Sequence, residues 1–377
     1  MRTGERWQHL ASTGTPRLSV GGAAPLVLVA CAVAMVLHQA TRWGWTIDDA
    51  AICYAYARNL AAGHGLVPWP GAERVEAYSD PTWIAVLAAF QAVGLDGFTV
   101  AKPLGMLFGL PTLWLVWRLA ARAMPDHRGP GALLAPIALA LNAQFAIWSA
   151  SGLENGLFDL LLTAAIYRTG LDRPGGIPWA AALYLLVAWT RPEGVVYAGI
   201  GAVIVAGLHR SRPRVVAAWL GVVAVPLAAS ELARLWYFAW PFPNTYYAKI
   251  AARGVSPLDW DGRGWSQLRE WADRLWQGYW APVYALGLTG LEPRRVRIAL
   301  AVVTALAASL LWPGTADLRA LGWWPALPQP PEAFVGLRLA AIAAAGVGLP
   351  LLALGTPSGP LRLQLGWTAA FGLAVGV

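Results

Sequence analysis

The chain contains little charge. Only 13% of its 377 residues are Asp, Glu, Lys or Arg, about half of the roughly 25% that soluble domains carry. A chain with so few charged groups cannot cover a globule with a water-compatible surface, so a soluble globular protein is excluded. Hydrophobic residues make up 57% of the chain, and a transmembrane helix needs about 20 mostly apolar residues. The composition therefore predicts an integral membrane protein.

Cysteine and lysine are scarce as well. The two cysteines, Cys31 and Cys53, are too few for a disulfide framework or a cysteine-based zinc site. Only Lys102 and Lys249 are lysines, so arginine supplies nearly all of the 28 basic residues. The net charge of +8 does not indicate nucleic-acid binding, because the arginines lie in short clusters between apolar segments and resemble no nucleic-acid module.

Apolar segments that are candidates for membrane helices follow a polar N-terminal tail at 1–22. They lie at 23–40, 82–95, 101–121, 131–149, 154–167, 177–189, 194–208, 215–236, 279–291, 298–312, 334–354 and 364–377. Arginine clusters fall on every second loop, at 118–128, 168–173, 210–214 and 294–297. Short loops rich in arginine stay in the cytoplasm. The loops between these clusters, which contain Ser151–Glu154, Arg191–Glu193 and Pro241–Lys249, are therefore predicted to be extracytoplasmic.

The segment at 82–95 does not fit this alternation as a membrane span. Its 14 residues would measure about 21 Å as a helix, against a hydrocarbon core of about 30 Å. If it crossed, the arginines at 118–128 would be outside. We therefore interpret 82–95 as an interfacial helix, and residues 41–100 as one long extracytoplasmic segment with two interfacial helices.

Asp48 and Asp49 stand at the start of that exterior segment. Thr46, followed three residues later by an acid, predicts a capped start for a helix at 48–62. The simplest interpretation is a pair of solvated capping carboxylates. The functional alternative is a general base at the membrane surface, because a helix N-terminus favours the ionised form of a carboxylate. Two adjacent acids also permit, without requiring, a divalent metal ion.

Several polar motifs in the predicted exterior loops resemble those of GT-C membrane glycosyltransferases. They most resemble the mycobacterial-type terminal arabinofuranosyltransferases and related bacterial membrane proteins. The similarity extends over about 24–252 and is carried by the segments Asp48–Leu60, Gly63–Val67, Glu73–Tyr78, Ser151–Glu154, Thr190–Gly194 and Pro243–Lys249.

The resemblance implies an all-α bundle of about 10–11 transmembrane helices in a bacterial cytoplasmic membrane. Residues 23–250 would form the catalytic module, and 251–377 a further exterior loop with C-terminal helices. The implied reaction transfers a sugar from a polyprenyl phosphate to a glycan or protein hydroxyl outside. Asp48 would be the catalytic carboxylate and Asp49 its supporting acid. Residues implied to bind the donor or substrate are Arg58, His64, Glu154, Arg191, Glu193, Asn244, Tyr247, Lys249 and Arg253.

Simpler roles remain open for several of these residues. Arg191 and Glu193 flank a proline and could pair with each other, and Glu154 could be a helix-start acid. Lys249 could be an interfacial anchor, and an isolated histidine such as His64 is usually structural. A transporter or flippase of lipid-linked or small polar substrates is the main alternative function, and a non-catalytic membrane scaffold is a third.

Overall fold

In the computed structural model, residues 24–123, 130–169, 171–172 and 176–249 are described. Every regular element within these ranges is a helix, and they contain no strand, which confirms the predicted all-helical class for this part of the chain. The predicted segments beyond 250, Arg253 and the side chain of Lys249 lie outside the described residues. The α-helices are α1 Ala24–Ala40, α2 Asp48–Ala61, α3 Pro81–Ala92, α4 Gly97–Ala123, α5 Leu134–Ala140, α6 Ala143–Ser149, α7 Asn155–Arg168, α8 Trp179–Thr190, α9 Gly194–Leu208, α10 Pro213–Phe238 and α11 Asn244–Lys249.

Within the described residues, two helices are long and apolar enough to cross a membrane. They are α4 and α10, with 27 and 26 residues. Four further apolar helices, α1, α3, α8 and α9, are 10–17 residues long. In α10 only 11% of the most apolar window is buried within the protein, so most of that helix presents apolar side chains outward. These features support association with a membrane.

The apolar segment 131–149 is not one continuous helix, contrary to its interpretation as a single membrane segment. It consists of a 3-10 turn at Pro130–Leu133 followed by α5 and α6. The break falls at Asn142, whose side-chain oxygen accepts a hydrogen bond from the backbone N–H of Phe145 at 3.0 Å. An asparagine in this position favours a new helix start over continuation of the previous helix.

Helix α2 begins where it was predicted, but not for the predicted reason. The residue before its first turn is Ile47, which has extended backbone angles and provides no side-chain cap. The expected capping by Thr46 is therefore wrong. The helix is held by packing instead, because one of its faces buries Tyr54, Tyr56 and Ala57 against the adjoining helix α3.

Helix α3 is short and well packed. Its 12 residues measure about 18 Å along the axis, less than a hydrocarbon core of about 30 Å. Trp83, Ile84 and Leu87 are almost completely buried and belong to the same hydrophobic cluster as α2. Helix α3 is therefore shorter than a hydrocarbon core and is held by α2, and its predicted position at the outer interface stays a prediction.

We predict that α3 does not cross the membrane. Single cysteines placed at Glu73, which is exposed, and at Val93, which is 73% exposed, should both react with a membrane-impermeant maleimide added from outside. Both native cysteines are buried, so the unmodified protein provides the background. A cysteine at Arg210, in an arginine-rich loop, should react only after permeabilisation. Labelling of the first site alone before permeabilisation would mean that α3 crosses.

Candidate functional site

A group of charged and polar side chains lies where α2, α3, α7, α8 and α9 meet. Its members are Cys53 on α2, Asp80 just before α3, Glu154 just before α7, Arg191 just after α8, and Glu193 just before α9. We call these five residues the ionic cluster. Asp80 and Glu154 are only 4% and 6% exposed. Carboxyl groups this deeply buried can remain ionised only when they are paired with a cation or hydrogen-bonded.

The members of the ionic cluster are joined by short contacts. The thiol of Cys53 donates to Asp80 Oδ2 at 3.1 Å. Arg191 Nη1 donates to Glu154 Oε1 at 2.8 Å, and Arg191 Nε donates to Glu193 Oε1 at 2.5 Å. One guanidinium thus bridges two carboxylates, and its planar fork of donors suits that geometry.

The buried carboxyl groups of Asp80 and Glu154 influence each other. Burial, followed by the charge of Glu154, raises the pKa of Asp80 well above its usual value, and its hydrogen bond to Glu154 acts in the same direction. Burial also raises the pKa of Glu154, but Arg191 and the hydrogen bond from Asp80 oppose this rise. The surroundings therefore favour the protonated form of Asp80, whereas Arg191 favours the ionised form of Glu154.

A tight turn at Ser151–Glu154 seats Glu154 in the cluster. Gly152 adopts a left-handed conformation with φ of +92°, which glycine alone tolerates readily. Its carbonyl accepts hydrogen bonds from the Tyr54 hydroxyl at 3.4 Å and from the Trp83 indole at 3.2 Å. A Cβ atom at Gly152 would collide with the Tyr54 hydroxyl. The turn is therefore clamped against α2 and α3.

The predicted catalytic acids lie beside this cluster. Asp48 is exposed in the first turn of α2, and its Oδ1 accepts a hydrogen bond from the backbone N–H of Asp49 at 3.0 Å. Asp49 is half-buried and precedes Cys53 by one helical turn, on the same face of α2. The charge of Asp49 contributes to the raised pKa of the Cys53 thiol, behind burial and Asp80.

Arg58 and His64 do not join this group. Arg58 follows Asp48 by ten residues on the same helix, which separates them by about 15 Å along the axis. It is exposed, and so is His64 in the turn after α2. Among the residues that the structure describes, none forms a hydrogen bond or an ion pair with the His64 side chain, so neither its structural nor its functional role is supported.

Asn244 contacts a different part of the predicted exterior segment, whereas Tyr247 packs against a residue close to it in the chain. The backbone N–H of Asn244 donates to the Glu76 carbonyl at 2.8 Å, and the Tyr247 ring lies 5.1 Å from that of Trp240. Glu76 is itself buried, and its Oε2 lies 3.5 Å from Arg234 Nε without forming a hydrogen bond. Arg234 also binds Glu231 and the Pro241 carbonyl.

A metal site at Asp48 and Asp49 has no further ligands in the part of the chain that the structure describes. No three His, Cys, Asp or Glu side chains within those ranges are grouped as metal ligands, whereas a calcium ion takes about six to eight oxygen ligands. The described residues therefore do not fit a dedicated metal site, and no step proposed below uses one.

Sequence reasoning missed Asp80, Cys53, Glu76 and Arg234 as members of a site. Asp80 directly precedes Pro81, a pattern that suggests only a helix start. Glu76 stands within a quoted motif, but its sequence neighbours give no sign that it is buried. Recognising either acid requires knowing which helix covers it. An acid directly before a proline in an otherwise apolar protein was the one available signal.

The comparisons with known proteins gave no match: no family model, no curated protein and no solved structure is significantly similar to this chain.

We predict that Arg191→Gln destabilises the protein by about 2–4 kcal/mol, because it leaves the buried Glu154 carboxylate without its partner. Thermal unfolding in detergent would measure the change. Arg168→Gln is the matched control, since its pair with Asp172 involves an arginine side chain that is 37% exposed and is expected to contribute about 1 kcal/mol or less. Equal losses in the two variants would show that the ionic cluster has no special structural importance.

We also predict a pH dependence that arises from Glu76. Burial raises the pKa of Glu76 from 4.5 to about 7, although Arg234 opposes the rise. The folded protein therefore binds more protons than the unfolded chain between those values, and its stability falls as the pH rises from about 4.5 to about 7. Glu76→Gln should remove roughly 3 kcal/mol of this dependence, measured as unfolding midpoints across the pH range. Glu73→Gln, an exposed neighbour, should leave it unchanged; an unaltered slope in Glu76→Gln would contradict the assignment.

Proposed function

We propose that the protein is a GT-C-type membrane glycosyltransferase that transfers a sugar from a polyprenyl phosphate to a hydroxyl of a glycan or protein on the extracytoplasmic side. The main support is the convergence of motifs that are far apart in the sequence. The loop after α1, the turn Ser151–Glu154 and the junction Arg191–Glu193 meet at one end of the helices, around the ionic cluster. Packing of an ordinary helical bundle does not require such a concentration of acids and a cation.

Asp48 is the proposed general base. It is exposed and stands at a helix N-terminus, so its carboxylate is both accessible and favoured in the ionised form. The acceptor hydroxyl oxygen attacks the anomeric carbon and gives its proton to Asp48. The bond between that carbon and the phosphate oxygen breaks, and its electron pair leaves with the polyprenyl phosphate. Asp49 is the next residue of the helix and is half-buried, and its role is to orient the acceptor.

Arg191 has a positioning role in this proposal. Its Nη1 and Nε bind Glu154 and Glu193, which orients the guanidinium, and its remaining N–H groups can donate to the donor phosphate. The charge of the leaving phosphate would be offset by exterior cations. Arg58, whose side chain is exposed, is one candidate. Lys249 and Arg253 remain predictions for the same role.

Two observations favour the alternative of a transporter. The segment 131–149 is broken at Asn142, and the ionisable residue Asp159 lies one turn into the apolar helix α7. Broken helices and ionisable groups within membrane helices are typical of transporters. The ionic cluster lies at helix ends, however, which is the arrangement expected for chemistry at a membrane surface.

Asp48→Asn tests the transferase proposal. The substitution keeps the size and an acceptor oxygen for the Asp49 N–H, so folding should be normal. Transfer should fall by about 10²–10⁴-fold because the general base is lost. The assay supplies a polyprenyl-phosphate arabinofuranose to the full-length protein in membranes, and follows both glycan labelling and release of polyprenyl phosphate.

Glu73→Gln is the matched control, because Glu73 is another exposed acid of the same exterior segment and has no part in the reaction. Its transfer rate should equal that of the parent. A correctly folded Asp48→Asn protein that transfers at the parent rate would make the catalytic assignment wrong. Movement of the intact lipid-linked sugar across vesicles, without release of polyprenyl phosphate, would instead favour a transporter.

A further inference from the structure

A cavity lies at the opposite end of α8 and α9 from the ionic cluster. The cluster is at the end of α8 and the start of α9, whereas the cavity is formed by the start of α8, the end of α9 and the start of α10. Its volume is about 220 Å³, and a single buried water needs only about 15 Å³. Its lining includes Asp172, Pro178, Val205, His209, Arg214 and Trp219.

Hydrogen-bond donors without partners surround this cavity. Arg214 is exposed and has no ion-pair partner among the residues that the structure describes. Trp219 is only 3% exposed, and its buried indole N–H has no hydrogen-bond partner. An unpaired buried donor is costly and uncommon in folded proteins. A ligand that accepts hydrogen bonds would satisfy it.

Helix α10 adds a third positive element. Its 26 residues begin at Pro213, and the preceding residue, Arg212, provides no side-chain cap. The N-terminus of a long helix carries a partial positive charge and free N–H groups, which favour an anion. The cavity is lined by residues of this first part of α10, including Arg214, Val215 and Trp219.

The acid and the histidine in the lining do not cancel this positive character. Asp172 binds Arg168 at 2.6 Å and accepts a hydrogen bond from the backbone N–H of Ala180 at 2.7 Å. Its charge is therefore already compensated. Burial and the nearby Arg212 lower the pKa of His209 below its usual 6.5, so its ring is mainly neutral at pH 7 and can either donate or accept a hydrogen bond. The net positive charge around the cavity therefore comes from Arg214, which lines it, and from Arg212, which is near His209.

The cavity also adjoins an apolar surface. Val205, Val215 and Ala218 contribute to its walls. Farther along the face of α10 that carries Arg214, Val225 and Leu232 are 67% and 68% exposed. An occupant therefore meets cationic and N–H donors at one end and exposed aliphatic side chains along the helix. This pattern fits an amphiphile with an anionic head better than it fits a fully polar ion.

We propose that this cavity binds the phosphate headgroup of an anionic membrane lipid, with the acyl chains lying along the outward face of α10. The arginine-rich loops at this end are those that the sequence assigns to the cytoplasmic side. Basic pockets between membrane helices on that side are suited to anionic lipid headgroups. The proposal does not depend on the transferase reaction, because the cavity and the ionic cluster are at opposite ends of α8 and α9.

Native mass spectrometry of the full-length protein in detergent would test the site. The protein is titrated with phosphatidylglycerol, with phosphatidylcholine, and separately with glycerol 3-phosphate and inorganic phosphate. We expect phosphatidylglycerol to bind at least tenfold more tightly than phosphatidylcholine, and the water-soluble phosphates to bind much more weakly because they lack the apolar part. Equal binding of the two lipids would overturn the proposal. Tight binding of inorganic phosphate would show that the ligand of the cavity is a soluble anion and not a lipid.

Variants of the lining residues test whether the lipid binds in the cavity. Arg214→Gln should weaken phosphatidylglycerol binding about tenfold, the effect of losing one charge-assisted contact. Trp219→Phe removes the N–H together with the five-membered ring of the indole, so it should weaken binding when measured well below the unfolding temperature of the variant. Arg210→Gln is the control, because Arg210 is an exposed arginine of the same loop that does not line the cavity. An equal loss in Arg210→Gln, or unchanged affinity in both cavity variants, would show that the lipid binds elsewhere.

Discussion

The ion pair between Arg191 and Glu154 joins the end of α8 to the turn before α7. The two side chains are 2.8 Å apart, and the Glu154 side chain is only 8% exposed. A buried carboxylate is costly without a partner, so the position of Arg191 after α8 constrains the turn before α7. The same turn is clamped to α2 and α3 by the hydrogen bonds that the Gly152 carbonyl accepts from Tyr54 and Trp83. The predicted exterior segment is thus tied to the helical bundle at this turn.

Close helix packing makes this arrangement sterically possible. A Cβ atom on Gly105 of α4 would collide with the Ser149 carbonyl, and one on Gly156 of α7 would collide with the carbonyl of Gly105. Small residues at such crossings allow backbones to approach closely in membrane proteins. Gly156 is two residues after Glu154, so the same contact that packs α7 against α4 sets the depth at which the acid lies. Packing and electrostatics are therefore coupled at this turn.

The sequence predicted those features that depend on local pattern. The apolar segments indicated the approximate positions of most described helices, and the loop motifs contain three residues, Glu154, Arg191 and Glu193, that the structure brings into contact. Features that depend on tertiary contact were missed. Asn142 interrupts an apolar segment because its side chain caps a new helix, and α2 starts without the predicted Thr46 cap because packing against α3 holds it. The mutual influence of Asp80 and Glu154 requires two acids 74 positions apart to be buried together, which no local pattern shows.

The two ends of α8 and α9 differ in charge for a physical reason that bears on both proposals. At one end, the arginine is neutralised by acids within hydrogen-bond distance. At the other end, Arg214 has no such partner in the described part of the chain, and the buried indole N–H of Trp219 is unsatisfied. A cluster whose charges are paired keeps its geometry without binding further ions. A cluster with an unpaired positive charge and a free N–H donor favours the binding of an anion. The first arrangement suits a site that must remain rigid while substrates exchange. The second suits a site whose ligand is supplied continuously by the bilayer.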